Sequence, residues 1–227
     1  TLIILNELIE TNNFSFKYFF ERRIRRIIPP LIIVALVTIP LAWMFLFPSY
    51  LLYLMNSIIT LFSFSSNFYF YYTGQLFGEI SGLFKPLLHT WSISLLVQFY
   101  IIFPIFLLLS YKYFKKNLVF ILIISFVISL VLAEWGSRNY SSASFYFLHT
   151  RIWEFLAGSI LAYFEIKLGH KSKKKILNLL LPSLGLILII YSILFFNDKM
   201  FHPSFSTLFP VIGVCLIIWF SDINEFV

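Results

Sequence analysis

The sequence predicts an all-α protein embedded in a bilayer, a polytopic integral membrane protein with about seven membrane helices. Composition is the first reason. Of 227 residues, 60% are apolar and only 12% carry formal charge, against about 45–50% and about 25% in soluble domains. Mean hydropathy, at +0.90, points the same way. Patterning is the second reason. The apolar residues fall in runs close to the about 20 residues that a membrane-crossing helix needs. They lack the period-2 alternation of a transmembrane barrel. A water-soluble globule of this size has too much surface to hide so much Leu, Ile and Phe. Soluble enzyme, disordered chain and secreted disulfide scaffold are poor readings.

Taken in order, Thr1 to Leu5 read as the end of an apolar segment already under way, so residues are expected before Thr1. Residues 6–26 form the first polar stretch and end in Arg22, Arg23, Arg25 and Arg26. The first span is expected at 30–47, between that basic cluster and Pro48. A second follows at 51–66, with a possible extension to 72. Residues 67–90 are a long aromatic connection, and a connection of that length in a compact body is usually functional or disordered. Its Tyr and Phe content argues against disorder. Spans at 93–110 and 118–133 are clear, 144–165 is the most polar, and 176–196 and 205–220 complete the set. Pro40, Pro104, Pro182 and Pro210 should kink or cap these helices. The whole of 1–227 reads as one membrane domain.

Charge bears on partners and on orientation. Lys and Arg total 17 against 10 acidic residues, a net +7. The cations sit in short clusters between apolar runs, which is the pattern of membrane faces; nucleic acid is not an expected partner. Lys112, Lys115 and Lys116 make the second cluster, and Lys167 through Lys175 the third. If the Arg cluster is cytoplasmic, three spans put the second cluster outside and two more put the third beside it. Either the positive-inside rule is broken or one early segment, 51–66, does not cross. Cys215 is the single cysteine and reads as a small buried hydrophobe, so neither a disulfide framework nor a cysteine metal site is expected.

Three polar groups carry the chemistry. Arg22, Arg25 and Arg26 share a helical face by i,i+3 and i,i+4 spacing. They read as a headgroup anchor or, since guanidinium forks grip phosphate, as a site for a nucleotide-like donor such as coenzyme A. His89-Thr90-Trp91-Ser92-Ile93-Ser94 stands at the mouth of a span, with Gln98 and Tyr100 further in. If the helix begins near His89, then His89, Ser92, Leu96 and Tyr100 lie on one side, and Trp91, Ser94 and Gln98 on another. Such groups serve either as interhelical glue or, for His89, as a general base. His149-Thr150-Arg151-Ile152-Trp153-Glu154 is the strongest signal. Charges inside an apolar helix are costly, and i,i+3 spacing lets Arg151 and Glu154 pair, as a structural ion pair or as the wall of a substrate cavity. Gly158, one turn on, would allow close helix approach. Asp198 and His202, in a short connection, read as solvated.

Together these segments resemble the OafA/YrhL-like acyltransferase-3 family of membrane O-acyltransferases. The run from Phe20 to Pro29 is similar to its Arg-rich motif before a span. Pro86 to Ser94, followed by Gln98-Phe99-Tyr100, resembles its HTWSLSVEEQFY signature. Thr150-Arg151-Ile152-Trp153-Glu154, with Gly158, is similar to its TRxWE segment, and Pro203 with Phe209-Pro210-Val211-Ile212-Gly213 fits its later part. The resemblance implies transfer of an acyl group, often acetyl from acetyl-CoA, to a hydroxyl of a surface glycan such as lipopolysaccharide, other polysaccharide or peptidoglycan. It implies a multi-pass protein of the bacterial inner membrane, with the bilayer and a glycan or lipid-linked glycan as partners and no metal. Arg22, Arg23, Arg25 and Arg26 would hold the acyl-CoA donor. His89, Ser92, Arg151 and Glu154 would be catalytic, and Trp91, Ser94, Gln98 and Trp153 would bind substrate. The family's first spanning helix, with its essential His, would precede Thr1. Leu96 and Val97 stand where the signature has two Glu residues. A transporter or flippase for glycan-linked lipids, and a non-catalytic remnant of the family, are the rival readings.

Overall fold

The computed structural model describes residues 1–11, 14–74, 85–169, 175–197 and 200–220. All the regular structure among them is helical. The chain divides into two compact units, Glu7–Ile102 on the one hand and Thr1–Asn6 with Phe103–Val227 on the other. Helix α1 (Leu2–Thr11) opens the chain.

In the Glu7–Ile102 unit, α2 runs over Phe16–Phe45 as one helix of 30 residues. The sequence predicted a polar stretch up to Arg26 and a span from 30. The helix instead takes in both, with Pro29 and Pro30 in its interior. A proline withdraws the N–H that would bond the carbonyl four residues earlier. Here those carbonyls belong to Arg25 and Arg26, both exposed, where water can replace the lost donor. The chain then turns through Leu46 and Phe47, and Pro48 occupies the first turn of α3 (Pro48–Phe62), where its missing N–H costs nothing. Helix α3 stops four residues short of the predicted 66. Phe64 adopts φ 52, a left-handed conformation uncommon for a bulky residue, and α4 (Ser66–Thr73) follows. After a 3₁₀ turn at Leu88–Thr90, α5 spans Trp91–Phe114. Leu31, Ala42, Leu54, Leu61 and Leu87 form the unit's apolar core.

In the other unit, α6 (Leu118–Asn139) is followed by α7 (Ser141–Tyr146), a 3₁₀ turn at Leu148–Thr150 and α8 (Ile152–Leu168). The predicted continuous span over 144–165 is therefore broken at Phe147, whose backbone is extended. The Thr150 hydroxyl donates to the carbonyls of Ser144 (2.6 Å) and Phe147 (2.9 Å), a local bonding pattern that competes with a helix. After α9 (Lys175–Phe195), a 3₁₀ turn at Phe205–Thr207 leads into α10 (Leu208–Phe220). Helices α9 and α10 cross on glycines. A Cβ placed on Gly185 would sit 2.5 Å from the Gly213 carbonyl oxygen, and one on Gly213 would sit 2.6 Å from that of Gly185. Small residues of this kind let membrane helices approach to backbone contact. Leu130, Ala133 and Trp153 form a core between α6 and α8.

Phe16–Phe45, Leu88–Asn139 (two successive helices) and Leu177–Phe195 are long and apolar enough to cross a bilayer; Pro48–Phe62 and Phe205–Phe220 are shorter apolar helices. With large hydrophobics such as Trp43, Met44, Ile59, Leu179 and Ile193 two-thirds or more exposed, this is a protein solvated by lipid.

Candidate functional site

The arginine run occupies two turns of α2. Arg22, Arg25 and Arg26 are exposed, as their spacing predicted, and Arg25 bonds Glu21 at 2.7 Å. Arg23 lies about 100° round the helix from Arg22 and is turned inward. It donates to the Phe19 carbonyl at 3.1 Å. Its guanidinium carbon lies 3.4 Å from the centroid of the Phe19 ring and 4.8 Å from that of Tyr100. Its Nε is buried without a hydrogen-bond partner. Arg22 and Arg26 are thus exposed to an anion, Arg25 is shared with Glu21, and Arg23 is held by aromatic faces. Val97, in the place of one signature Glu, lines an apolar cavity of about 200 Å³ with Arg23, Ile24, Ile27, Phe64 and Tyr100.

The His89 segment is divided by the turn that precedes α5. The helix begins at Trp91, two residues later than the reading from His89, which sits in the 3₁₀ turn. His89 and Ser92 are exposed, and the Ser92 hydroxyl donates to the His89 carbonyl at 2.9 Å. Trp91 is half-buried. Ser94 is fully buried, and its oxygen accepts the Ser66 N–H at 3.1 Å. Gln98 donates to the Phe64 carbonyl (3.2 Å) and to Asn67 Oδ1 (2.9 Å). Ser94 and Gln98 therefore hold the α3–α4 corner, including its left-handed Phe64. The residues nearest the mouth, His89 and Ser92, are the accessible ones.

In the second unit, Arg151 and Glu154 pair at 3.2 Å with side chains 16% and 28% exposed. Arg151 Nε also reaches the Phe145 carbonyl at 3.3 Å, with the guanidinium 4.8 Å from the Phe145 ring centroid. The break before α8 makes this possible, since it brings α7 over the start of the helix. Trp153 is fully buried and packs edge-on against Phe126 at 5.9 Å. Its backbone N–H donates to Ser129 Oγ, which donates in turn to the His149 carbonyl. The Trp153 indole N–H is buried with no hydrogen-bond partner. Glu154 lines a cavity of about 260 Å³ with Gly158, Leu161, Pro210, Val211 and Cys215. A Cβ on Gly158 would meet nothing within 4 Å, so the close helix approach predicted there does not occur; that glycine leaves the cavity wall open.

His202, read from the sequence as solvated, is half-buried, with its ring 5.6 Å from that of Phe196. Burial, and then the charge of Arg151, hold its imidazole below the ordinary histidine value. Asp198 lies outside the described residues. Sequence reasoning missed the Glu134–Arg138 pair at the end of α6, where Arg138 Nε donates to Glu134 at 2.7 Å. Opposite charges at i,i+4 closing an apolar run were the available signal. Among the described residues, no group of three His, Cys, Asp or Glu side chains could hold a metal ion.

The sequence profile of a family described as "Acyltransferase domain" matches residues 8–226. An uncharacterized protein of Haemophilus influenzae (strain Rd) is 33% identical over 234 residues, covering 99% of this chain and 94% of that protein. The peptidoglycan O-acetyltransferase OatA of Listeria monocytogenes is 32% identical over 168 residues, covering 72% of this chain. The matched part is 27% of the length of the Listeria protein. No solved structure matches the chain significantly.

Proposed function

The chain belongs to the acyltransferase domain family, and on that premise we propose that it moves an acyl group, acetyl in the simplest case, from acyl-CoA to a hydroxyl of a surface glycan. In this reading the exposed Arg22, Arg25 and Arg26 take the phosphates of the donor. The acceptor oxygen attacks the thioester carbonyl, a C–O bond forms and the C–S bond breaks. The hydroxyl proton passes to a base, for which His89 is the candidate within the chain, and from there to the departing thiolate. In the Phe103–Val227 part, taken by itself, Arg151 is the candidate to stabilise the charge that develops on the carbonyl oxygen, with Glu154 fixing its orientation. Ser92 and Trp91, near the mouth, touch substrate. Ser94, Gln98 and Trp153 contribute by position, because their hydrogen bonds or burial tie them to the fold.

The observation that carries the proposal is the Arg151–Glu154 pair, with side chains only 16% and 28% exposed, at a helix start in a mostly apolar body. A cation kept there at a desolvation cost is oriented in advance for a developing negative charge. The bacterial inner membrane, multi-pass, is the matching location. The test is transfer of labelled acetyl from acetyl-CoA to cell-wall or lipopolysaccharide glycan by full-length protein in membranes. Arg151→Lys should lower turnover by about 100-fold while the protein remains folded and inserted. Unchanged transfer in Arg151→Lys and Arg151→Ala would remove Arg151 from the mechanism.

A further inference from the structure

The end of α6 and residues 200–206, ahead of α10, form a second polar feature in the same unit. Glu134, on the last turns of α6, is 15% exposed in its side chain and is fully engaged. One carboxylate oxygen takes Arg138; the other accepts the backbone N–H of Phe205 at 2.9 Å. The segment 200–207 is thereby pinned to α6 at Phe205. It is stiffened further by a capping box, in which the Ser204 N–H donates to Thr207 Oγ1, and by the Ser204–Ser206 hydroxyl pair at 2.7 Å. What results is a cavity of about 300 Å³ lined by Glu134, Arg138, Phe201, Ser204, Phe205 and Ser206. Its rim carries two aromatic rings, Phe201 and Phe205, each 49% exposed. Arg138, 63% exposed in its side chain, lies with its guanidinium carbon 5.9 Å from the Phe201 ring centroid.

We infer that this cavity is the subsite for a pyranose ring of the acceptor glycan. The chemistry is that of a sugar site. Aromatic faces take the C–H side of a pyranose, while hydroxyls and a carboxylate-oriented guanidinium bond its O–H edge. A lipid tail offers no acceptor to the guanidinium N–H groups of Arg138 that Glu134 does not take. That segment also links this cavity to the candidate chemistry, because His202, between Phe201 and Ser204, feels the charge of Arg151. The charge distribution within this unit agrees. Lys115 and Lys116 precede α6 and Lys167 closes α8, at the end opposite the cavity. By the positive-inside rule that end is cytoplasmic, so the cavity opens to the side where surface glycans lie.

This inference rests on the acyltransferase reading, and the experiment separates the two. Full-length protein in lipid nanodiscs is titrated with the N-acetylglucosamine tetramer, with binding read by saturation-transfer NMR on the ring protons. Acetyl transfer to the same oligosaccharide is measured in parallel. Phe201→Ala and Arg138→Gln should each weaken sugar binding and raise the acceptor KM by about tenfold, with the donor KM unchanged. Trp43→Ala, on a lipid-exposed face of α2, is the control and should alter neither. Sugar binding with these losses but no acetyl transfer would keep the subsite and sink the acyltransferase reading. Acetyl transfer with normal acceptor KM in both variants would overturn the subsite and keep that reading. No ring-proton signal, or a signal displaced by anionic phospholipid alone, would also overturn it.

Discussion

His202 shows how far one neighbour can set a side chain's chemistry. Its imidazole is held below the ordinary histidine value by burial and by the positive charge of Arg151. A histidine with a depressed folded value keeps its proton off in the native state, so its contribution to stability is present at neutral pH. It is lost as pH falls through the unfolded value towards the folded one. In ¹⁵N-resolved NMR, His202 should titrate below free histidine. Arg151→Ala should move its midpoint upward, because a cation is removed, whereas Arg151→Lys should leave it low. A midpoint unmoved by Arg151→Ala would mean that burial alone sets it. The sequence showed the Arg151–Glu154 pair, since i,i+3 spacing fixes which side chains meet on a helix. It did not show Arg23 turned between Phe19 and Tyr100, because Tyr100 lies 77 residues away and only the fold brings it there. Nor did it show His202 near Arg151, for the same reason.

At the level of helices, the glycines carry the clearest contrast. Gly185 and Gly213 stand backbone to backbone, so a methyl group on either must push α9 and α10 apart. Overpacking of this kind costs about 1–3 kcal/mol. Gly185→Ala and Gly213→Ala should each lower the thermal midpoint in nanodiscs. Gly158→Ala should hold or raise it, because a Cβ there meets only open space and Ala favours a helix interior by up to about 1 kcal/mol. Equal effects at all three positions would contradict the packing. The sequence pointed to Gly158 because of the motif around it and passed over Gly185 and Gly213 inside a uniformly apolar pair of segments. Apolar length located every predicted segment on a helix, because the bilayer sets that length. The boundaries were less legible. They depended on Pro29 and Pro30 being tolerated next to exposed carbonyls, on Phe147 breaking the fifth span, and on a left-handed Phe64 held by Gln98.

The whole molecule combines a lipid-facing exterior with polar groups confined to particular ends of each unit. Within the Phe103–Val227 part, Lys115, Lys116 and Lys167 collect at one end of α6 and α8, and the Glu134–Arg138 cavity lies at the other. Ser206→Cys and Lys167→Cys, each on a Cys215→Ala background, should react with a membrane-impermeant maleimide from opposite faces of intact cells. Ser206→Cys should label from outside; Lys167→Cys should label only after lysis. Labelling of both from the same face would invert the orientation. Sequence alone left the Lys clusters in conflict with the Arg cluster, because it could not tell whether 51–66 crosses. In the structure that segment is a 15-residue helix followed at once by a turn, shorter than the about 17–25 residues typical of a span.

The anchoring of Phe205 to Glu134 ties the turn before α10 to its neighbour by a main-chain bond that does not depend on which side chain stands at 205. Its exposed side chains are therefore free to be exchanged while its frame stays in place. Grafting residues 205 and 206 from a relative, with Glu134, Ser204 and Thr207 left in position, would therefore change the cavity's lining without moving its frame.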